Sequence, residues 1–147
     1  MASFISEFKC KLDPKGRLVL PAKFKAALPE TLGNELVLRK GEDPCIVVYP
    51  GFEFKKIYNK VAALSEFNPQ ERKFKRQFLS GLAEAELDNS GRFLIVKHML
   101  EYAGIDKEAI LVGMGSNIEI WDPEKYQAYS SMDQDEYSGL AEKYLGQ

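Results

Sequence analysis

The sequence predicts a mainly β fold with short helices, an α+β protein whose chain uses one strand scheme twice. Three observations carry this. A turn-forming run, Asp13-Pro14-Lys15-Gly16-Arg17, returns as Asp88-Asn89-Ser90-Gly91-Arg92. The residues leading into each copy alternate with the period of two of a half-buried strand. Two similar closures, Tyr49-Pro50 and Trp121-Asp122-Pro123, end the copies. The offset is 75 residues at the turns and 72 at the closures, so the loops differ while the scheme persists. One repetition fits a pseudo-twofold unit, since a solenoid needs at least three repeats.

In chain order, Phe8, Cys10 and Leu12 face one way while Lys9 and Lys11 face the other. Asp13 opens a turn by accepting a backbone N–H two residues on, Pro14 supplies the fixed φ, and Gly16 takes the positive φ that closes the loop. A three-residue hairpin loop with a left-handed glycine fits the length. Arg17 follows the glycine directly and stands at the base of a stiff tip. Leu18 to Leu20 continues as a strand, Pro21 is placed as the first residue of a helix to Leu28, and Pro29 and Gly33 end it. Glu35 to Lys40 and Cys45 to Tyr49 read as strands about a Gly41-to-Pro44 turn.

The second copy repeats the order. Ala83, Ala85 and Leu87 alternate with Glu84 and Glu86; Asp88 and Gly91 shape the tip that carries Arg92; Phe93 to Val96 continues as a strand. A helix from Lys97 to Ala103 stops at Gly104, and Ala109 to Val112 with Ile118 to Trp121 make the last hairpin. Between the copies, Phe52 to Leu64 is helical, and Asn68-Pro69-Gln70-Glu71 starts a second helix with an N-cap and a first-turn proline. That helix has an apolar edge, Phe74 and Phe78, and a basic face, Arg72, Lys73, Lys75 and Arg76. The face is either simply solvated or a DNA-backbone or subunit contact. After Trp121 another helix is capped at Asp122. In the acidic tail Tyr137, Leu140, Ala141 and Tyr144 have helical spacing, which fits either packing on a neighbour or fraying. The expected spans are a first repeat at 7–53, a helical insert at 54–81, a second repeat at 82–125 and an acidic tail at 126–147.

Composition narrows the function classes. An apolar fraction of 45% and a charged fraction of 29% are those of an ordinary soluble chain. No run approaches the roughly 20 apolar residues of a membrane span, and the N-terminus lacks the pattern of a signal peptide. The expectation is therefore a cytoplasmic protein with no membrane partner. Cys10 and Cys45 lie on apolar strand positions without metal-ligand spacing and read as free thiols, with a disulfide or a reactive thiol as the alternatives. The one histidine, His98, has no nucleophile motif near it in sequence, and two separated cysteines with one histidine do not make a zinc set. Gly113-Met114-Gly115 joins two strands and opens no helix, so it reads as a hairpin turn and not a phosphate loop. No catalytic residue, metal, cofactor or small-molecule substrate is expected.

Net charge is only −2, but it is unevenly spread. Lys9, Lys11, Lys15, Arg17, Lys23 and Lys25 fall in one supersecondary unit with only Asp13 against them, while Asp122 to Gln147 holds six acids and two bases. Arginine can grip the O6/N7 edge of guanine with two hydrogen bonds, lysines neutralise phosphates, and a two-stranded ribbon fits the major groove. Six bases make a patch only if they share a side.

The strings LDPKGRLVLPAKF, LDNSGRFLI, YPGFEF, EIWDPEKY and FLSGLAEAELD together resemble the MraZ family of bacterial transcriptional regulators, related to AbrB and SpoVT proteins, over residues 3 to 129. The resemblance implies a swapped-hairpin AbrB-like β-barrel built from two internal repeats in one chain. It implies assembly into a closed ring, association with the nucleoid, and binding to double-stranded DNA at short G-rich direct repeats in the promoter of the family's own cell-division and cell-wall operon, as a repressor. Arg17 and Arg92 match the family's motif arginines and Asp13 and Asp88 their partners. Arg17 is then the residue for base readout, Asp13, Gly16, Asp88 and Gly91 shape the tips, and Lys9, Lys11, Lys15 and Lys23 contact phosphates. Val96 stands where the family commonly has proline, and Glu84 and Glu86 replace outward lysines. Arg92 is accordingly the weaker DNA-facing candidate, with a subunit contact as its other role. The alternative function is a ring-forming protein-interaction module without specific DNA binding.

Overall fold

The structure is a computed structural model that describes residues 3–29 and 33–146. Met1, Ala2, residues 30–32 and Gln147 lie outside the described residues, and with them parts of the expected N-terminus, first repeat and tail. The first copy supplies β1 (Glu7–Lys11), β2 (Arg17–Val19), α1 (Ala22–Ala26), β3 (Glu35–Lys40) and β4 (Ile46–Pro50). The insert is α2 (Gly51–Ala62) and α3 (Pro69–Ser80). The second copy supplies β5 (Ala83–Glu86), β6 (Arg92–Leu94), α4 (Lys97–Ala103), β7 (Glu108–Gly113) and β8 (Ile118–Trp121), followed by α5 (Pro123–Ser130) and α6 (Gln134–Leu145).

Pairing crosses between the copies. A six-stranded antiparallel sheet runs β1-β7-β8-β4-β3-β5, and β2 pairs with β6 as a separate ribbon. Each copy's first strand lies beside the other's third: β1 on β7, with Phe8 opposite Leu111, and β5 on β3, with Ala85 opposite Leu36. The last strands meet each other, Ile46 opposite Ile120. The strand order therefore reads the same from either end once the copies are exchanged.

This changes what the turns join. The Asp13-to-Arg17 tip is closed over a single bridge, Leu12 to Leu18, and over the Asp13 N–H donating to the Arg17 carbonyl. Beyond it the two flanking strands part, β1 into the large sheet and β2 into the ribbon. The expected helix starts shift as well. Pro21 is the N-cap of α1, with φ −52° and ψ 140°, and not its first helical residue. Val96 caps α4 with nearly the same angles, −64° and 148°, so valine adopts the backbone that proline holds in the first copy. Gly104 ends α4 in the left-handed region, as expected.

Alternation sorts the core into two layers. On one face of the sheet, Leu36, Leu38, Ile46, Val48, Leu111 and Ile120 meet Leu18 and Phe93 of the ribbon, Phe24 of α1 and Met99 of α4. Phe24 stands edge-on to both Phe4 and Phe8, with centroids 5.6 and 5.0 Å apart, in one of the two geometries that aromatic rings prefer. On the other face Cys45, Val47, Tyr49 and Trp121 pack against Phe54 of α2 and Phe78 of α3. All five residues of β4 are buried because this central strand is covered on both sides. Cys45 is buried and Cys10 half-buried, both as free thiols. Burial, with the negative charge of Glu119, pushes the Cys45 thiol up to about 12.

Two outcomes follow from this packing. Among the described residues the Val96 N–H makes no backbone hydrogen bond, and its φ is already that of proline, so Val96→Pro should stabilise the chain by about 0.4 to 1 kcal/mol through the unfolded state, read as a higher denaturant midpoint. Because the thiolate is the reactive form, Cys45 should resist alkylation in the native chain and react only on unfolding; mass spectrometry of the labelled sites checks this.

Candidate nucleic-acid interface

Each tip is built by one aspartate whose two carboxylate oxygens do different work. Asp13 Oδ1 accepts the backbone N–H groups of Lys15 and Arg17, both at 2.9 Å, and so fixes the loop. Its Oδ2 accepts Nε–H of Arg17 at 2.7 Å and so fixes the side chain. Gly16, at φ +84°, donates to the Asp13 carbonyl at 3.0 Å. The second tip repeats this atom for atom. Asp88 Oδ1 takes Ser90 and Arg92 N–H at 2.9 Å, Oδ2 takes Arg92 Nε–H at 3.0 Å, and Gly91 has φ +76°. A Cβ-bearing residue at either glycine would sit in a strained region.

The electrostatics follow the geometry. The Arg17 backbone N–H is the largest influence on the Asp13 carboxyl; desolvation comes next and pushes the other way, and the Arg17 side chain and the Lys15 N–H add to the first, so the carboxyl is held below its ordinary value. Asp88 is lowered by the same kinds of donor, the Arg92 backbone N–H first. Both carboxylates are therefore charged near neutrality. Only Nε of each guanidinium is used; the Nη nitrogens of Arg17 and Arg92 have no protein partner among the described residues. The two side chains are 33% and 36% exposed, reachable from solvent yet held.

The ribbon puts both arginines on one surface. Its register sets Arg17 opposite Leu94, Leu18 opposite Phe93 and Val19 opposite Arg92. Leu18 and Phe93 point inward and are buried. By alternation Arg17, Val19, Arg92 and Leu94 share the outer face, with Val19 53% and Leu94 48% exposed. The guanidinium-bearing residues are diagonal neighbours, about 7 Å apart between Cα atoms. Two crossed hydrogen bonds lock the tips together: Leu20 N–H to the Gly91 carbonyl at 2.9 Å and Ile95 N–H to the Gly16 carbonyl at 3.0 Å.

The other expected contacts divide between two surfaces. Lys15 is exposed on the first tip, and Lys23 and Lys25 are exposed on α1. Lys25 reaches the second tip, its Nζ 3.5 Å from where a Cβ on Gly91 would stand. Lys9 and Lys11 belong to β1, at the edge of the six-stranded sheet. Lys9 Nζ lies 3.7 Å from Glu108 Oε2, and Lys11 shares a shallow depression with Asp106 and Glu108. The six bases thus form a ribbon-side group and a sheet-edge group with acids beside it. Sequence reasoning missed Val19 and Leu94 as members of the surface. The matching triplets Arg-Leu-Val and Arg-Phe-Leu carried the signal, but it becomes legible only once β2 is known to pair with β6. His98 is exposed on α4, and no group of three His, Cys, Asp or Glu among the described residues is placed to hold a metal ion. No described helix is long and apolar enough to cross a membrane.

Comparison with known proteins places this architecture. The family model described as MraZ protein matches residues 3–77 and 78–144, one match per copy. Relatives named transcriptional regulator MraZ span nearly the whole chain. That of Cytophaga hutchinsonii is 46% identical over 145 residues, covering 99% of this chain and 96% of the relative. That of Carboxydothermus hydrogenoformans is 41% identical over 142 residues, covering 97% and 96%, and that of Desulfitobacterium hafniense is 42% identical with the same coverage. These names describe regulators and not enzymes. The chain belongs to the MraZ family.

Proposed function

We propose that the chain is a sequence-specific DNA-binding transcriptional regulator, acting in the cytoplasm on the nucleoid as a repressor of its own cell-division and cell-wall operon. The observation that carries this is the pair of aspartate-held guanidiniums on one face of the β2·β6 ribbon, whose Nη nitrogens have no protein partner among the described residues. A two-stranded ribbon fits the major groove, and each guanidinium can take O6 and N7 of a guanine. With base pairs about 3.4 Å apart along the axis, arginines on diagonal positions span roughly two steps. Short G-rich direct repeats are the sites this geometry suits.

Arg17 reads a base, and Arg92, held in the same way on the same face, is its partner in readout. Val19 and Leu94 offer apolar contact of the kind that recognises a thymine methyl. Lys15 and Lys23 flank the ribbon and take phosphates, with Lys9 and Lys11 reaching the backbone at the sheet edge. One ribbon makes few base contacts, so a closed ring of subunits on successive repeats adds small affinities through effective concentration. In this reading the repeats at 7–53 and 82–125 carry the ribbon, with an insert at 54–81 and a tail at 126–147.

Titration of DNA fragments from upstream of the chain's own gene tests the reading. Arg17→Ala should cost about 1 to 3 kcal/mol of specific binding, and affinity of the parent should fall steeply with salt. Parent-level affinity in Arg17→Ala, or a flat salt response, would sink it. The aspartates give a second check. Their folded pKa values lie below the ordinary 3.8, so the tips keep their full stabilisation above that value and lose it as pH falls through the depressed pKa. Carboxyl NMR should find both midpoints below 3.8, with Asp13 moving up in Arg17→Ala.

A further inference from the structure

The β3·β5 ladder ends where Leu38 faces Ala83, whereas β3 continues to Lys40, so Arg39 and Lys40 run on past their neighbour. On the far side of this gap α3 stops at Ser80, and Gly81 and Leu82 lead the chain into β5. α4 is pinned across it, the Tyr102 hydroxyl donating to the Gly41 carbonyl at 2.6 Å. First copy, insert and second copy thereby enclose an open-sided cavity of about 600 Å³. Arg39 and Lys40 form one wall, Gln77 and Ser80 of α3 the next, and His98 and Tyr102 of α4 the third. Small-molecule sites commonly measure about 300 to 1,000 Å³.

The chemistry of the cavity is cationic. Among the described residues no Asp or Glu lines it. Both of its strand cations are held on aromatic rings: the Arg39 guanidinium carbon lies 5.6 and 6.0 Å from the centres of Tyr49 and Phe78, and Lys40 Nζ lies 5.4 Å from that of Tyr102. Arg39 Nε donates to the Tyr49 hydroxyl at 3.1 Å and Nη1 to Glu42 at 2.6 Å, while Nη2 has no hydrogen bond among the described residues. Lys40 makes no ion pair there, and neither does Lys73, one turn before Gln77 on the same face of α3. Glu42 offsets Arg39, and the carbonyl end of α3 adds about half a negative charge. Lys40 and Lys73 outweigh that and leave the cavity positive.

We propose that this cavity binds a small phosphorylated molecule, whose phosphate takes charge-assisted hydrogen bonds from Lys40 Nζ and Arg39 Nη2, with the Gln77 amide and the Ser80 hydroxyl as neutral donors. A lysine held on one ring and a guanidinium held between two have already given up much of the side-chain freedom that binding would cost. A phosphate group suits three donor walls better than a carboxylate, because its oxygens are not confined to one plane and it carries up to two charges. Arg17, Arg92 and Lys15 do not line the cavity. The site is therefore separate from the ribbon and independent of the DNA-binding reading.

His98 is the one histidine of the sequence, so the imidazole NMR signals of the full chain report on this wall alone. The probe is inorganic pyrophosphate, titrated at fixed pH and at ionic strength balanced with sodium chloride. The parent should show saturable movement of the His98 signals, and Arg17→Ala/Arg92→Ala should show it with the same midpoint. Lys40→Glu should raise the midpoint about tenfold or more, with an unchanged circular dichroism spectrum. Gln77→Glu, at an exposed position on α3, should do likewise and serves if Lys40→Glu fails to fold. No saturable movement in the parent, or a parent midpoint in both glutamate variants, would overturn the site. Loss of the movement in Arg17→Ala/Arg92→Ala would overturn it as well, by placing the anion at the ribbon. An equal midpoint with acetate would overturn the choice of phosphate.

Discussion

The exchange of first strands between the two copies is the constraint on which the rest of the molecule depends. β1 has its ladder on β7, and β5 has its ladder on β3, so neither copy completes its own sheet. The same crossing draws β2 against β6, away from its neighbours in sequence. A slip of one residue in that three-residue pairing would turn Leu18 and Phe93 outward and both arginines into the core. Burying unpaired guanidiniums costs far more than a few kcal/mol. The register of a short ribbon is thus enforced by the apolar pair beneath it and by the two glycine carbonyls that clamp its ends.

A presented arginine ordinarily loses side-chain freedom when it binds, up to about 2 kcal/mol. Here part of that loss is taken during folding. The aspartate that closes each turn also holds Nε, so the guanidinium plane is set before any partner arrives. Exposed ion pairs of this kind add little to stability. Their worth lies in orientation, with the two guanidiniums set at a fixed diagonal on one face.

How much of this was legible depended on whether the signal was local. The Asn68 cap, the Gly104 stop and the Gly41-to-Pro44 turn are written in neighbouring residues, and α3, α4 and the β3–β4 hairpin lie close to where those residues put them. Which strand lies beside which is not. Alternation in Phe8, Cys10 and Leu12 says which side faces the core and nothing about the neighbour in the ladder, so β1 and β2 read as partners although a single bridge joins them. The run from Lys9 to Lys25 misled in the same way. Its bases are close in sequence, but the chain divides at Asp13, sending Lys9 and Lys11 to a sheet edge beside Glu108 and Asp106 and the remainder to the ribbon. Val96 shows the converse, since the family's proline is absent yet the backbone it would impose is kept by the pairing around it.

The two faces of the sheet treat the internal symmetry differently. On the ribbon side the copies agree in their hydrogen bonds, Asp13 with Asp88 and Arg17 with Arg92. On the other side the helical units that follow β4 and β8 have diverged in charge, α3 rich in lysine and arginine and α6 rich in acids. α2 and α3 pack on the sheet face opposite the ribbon.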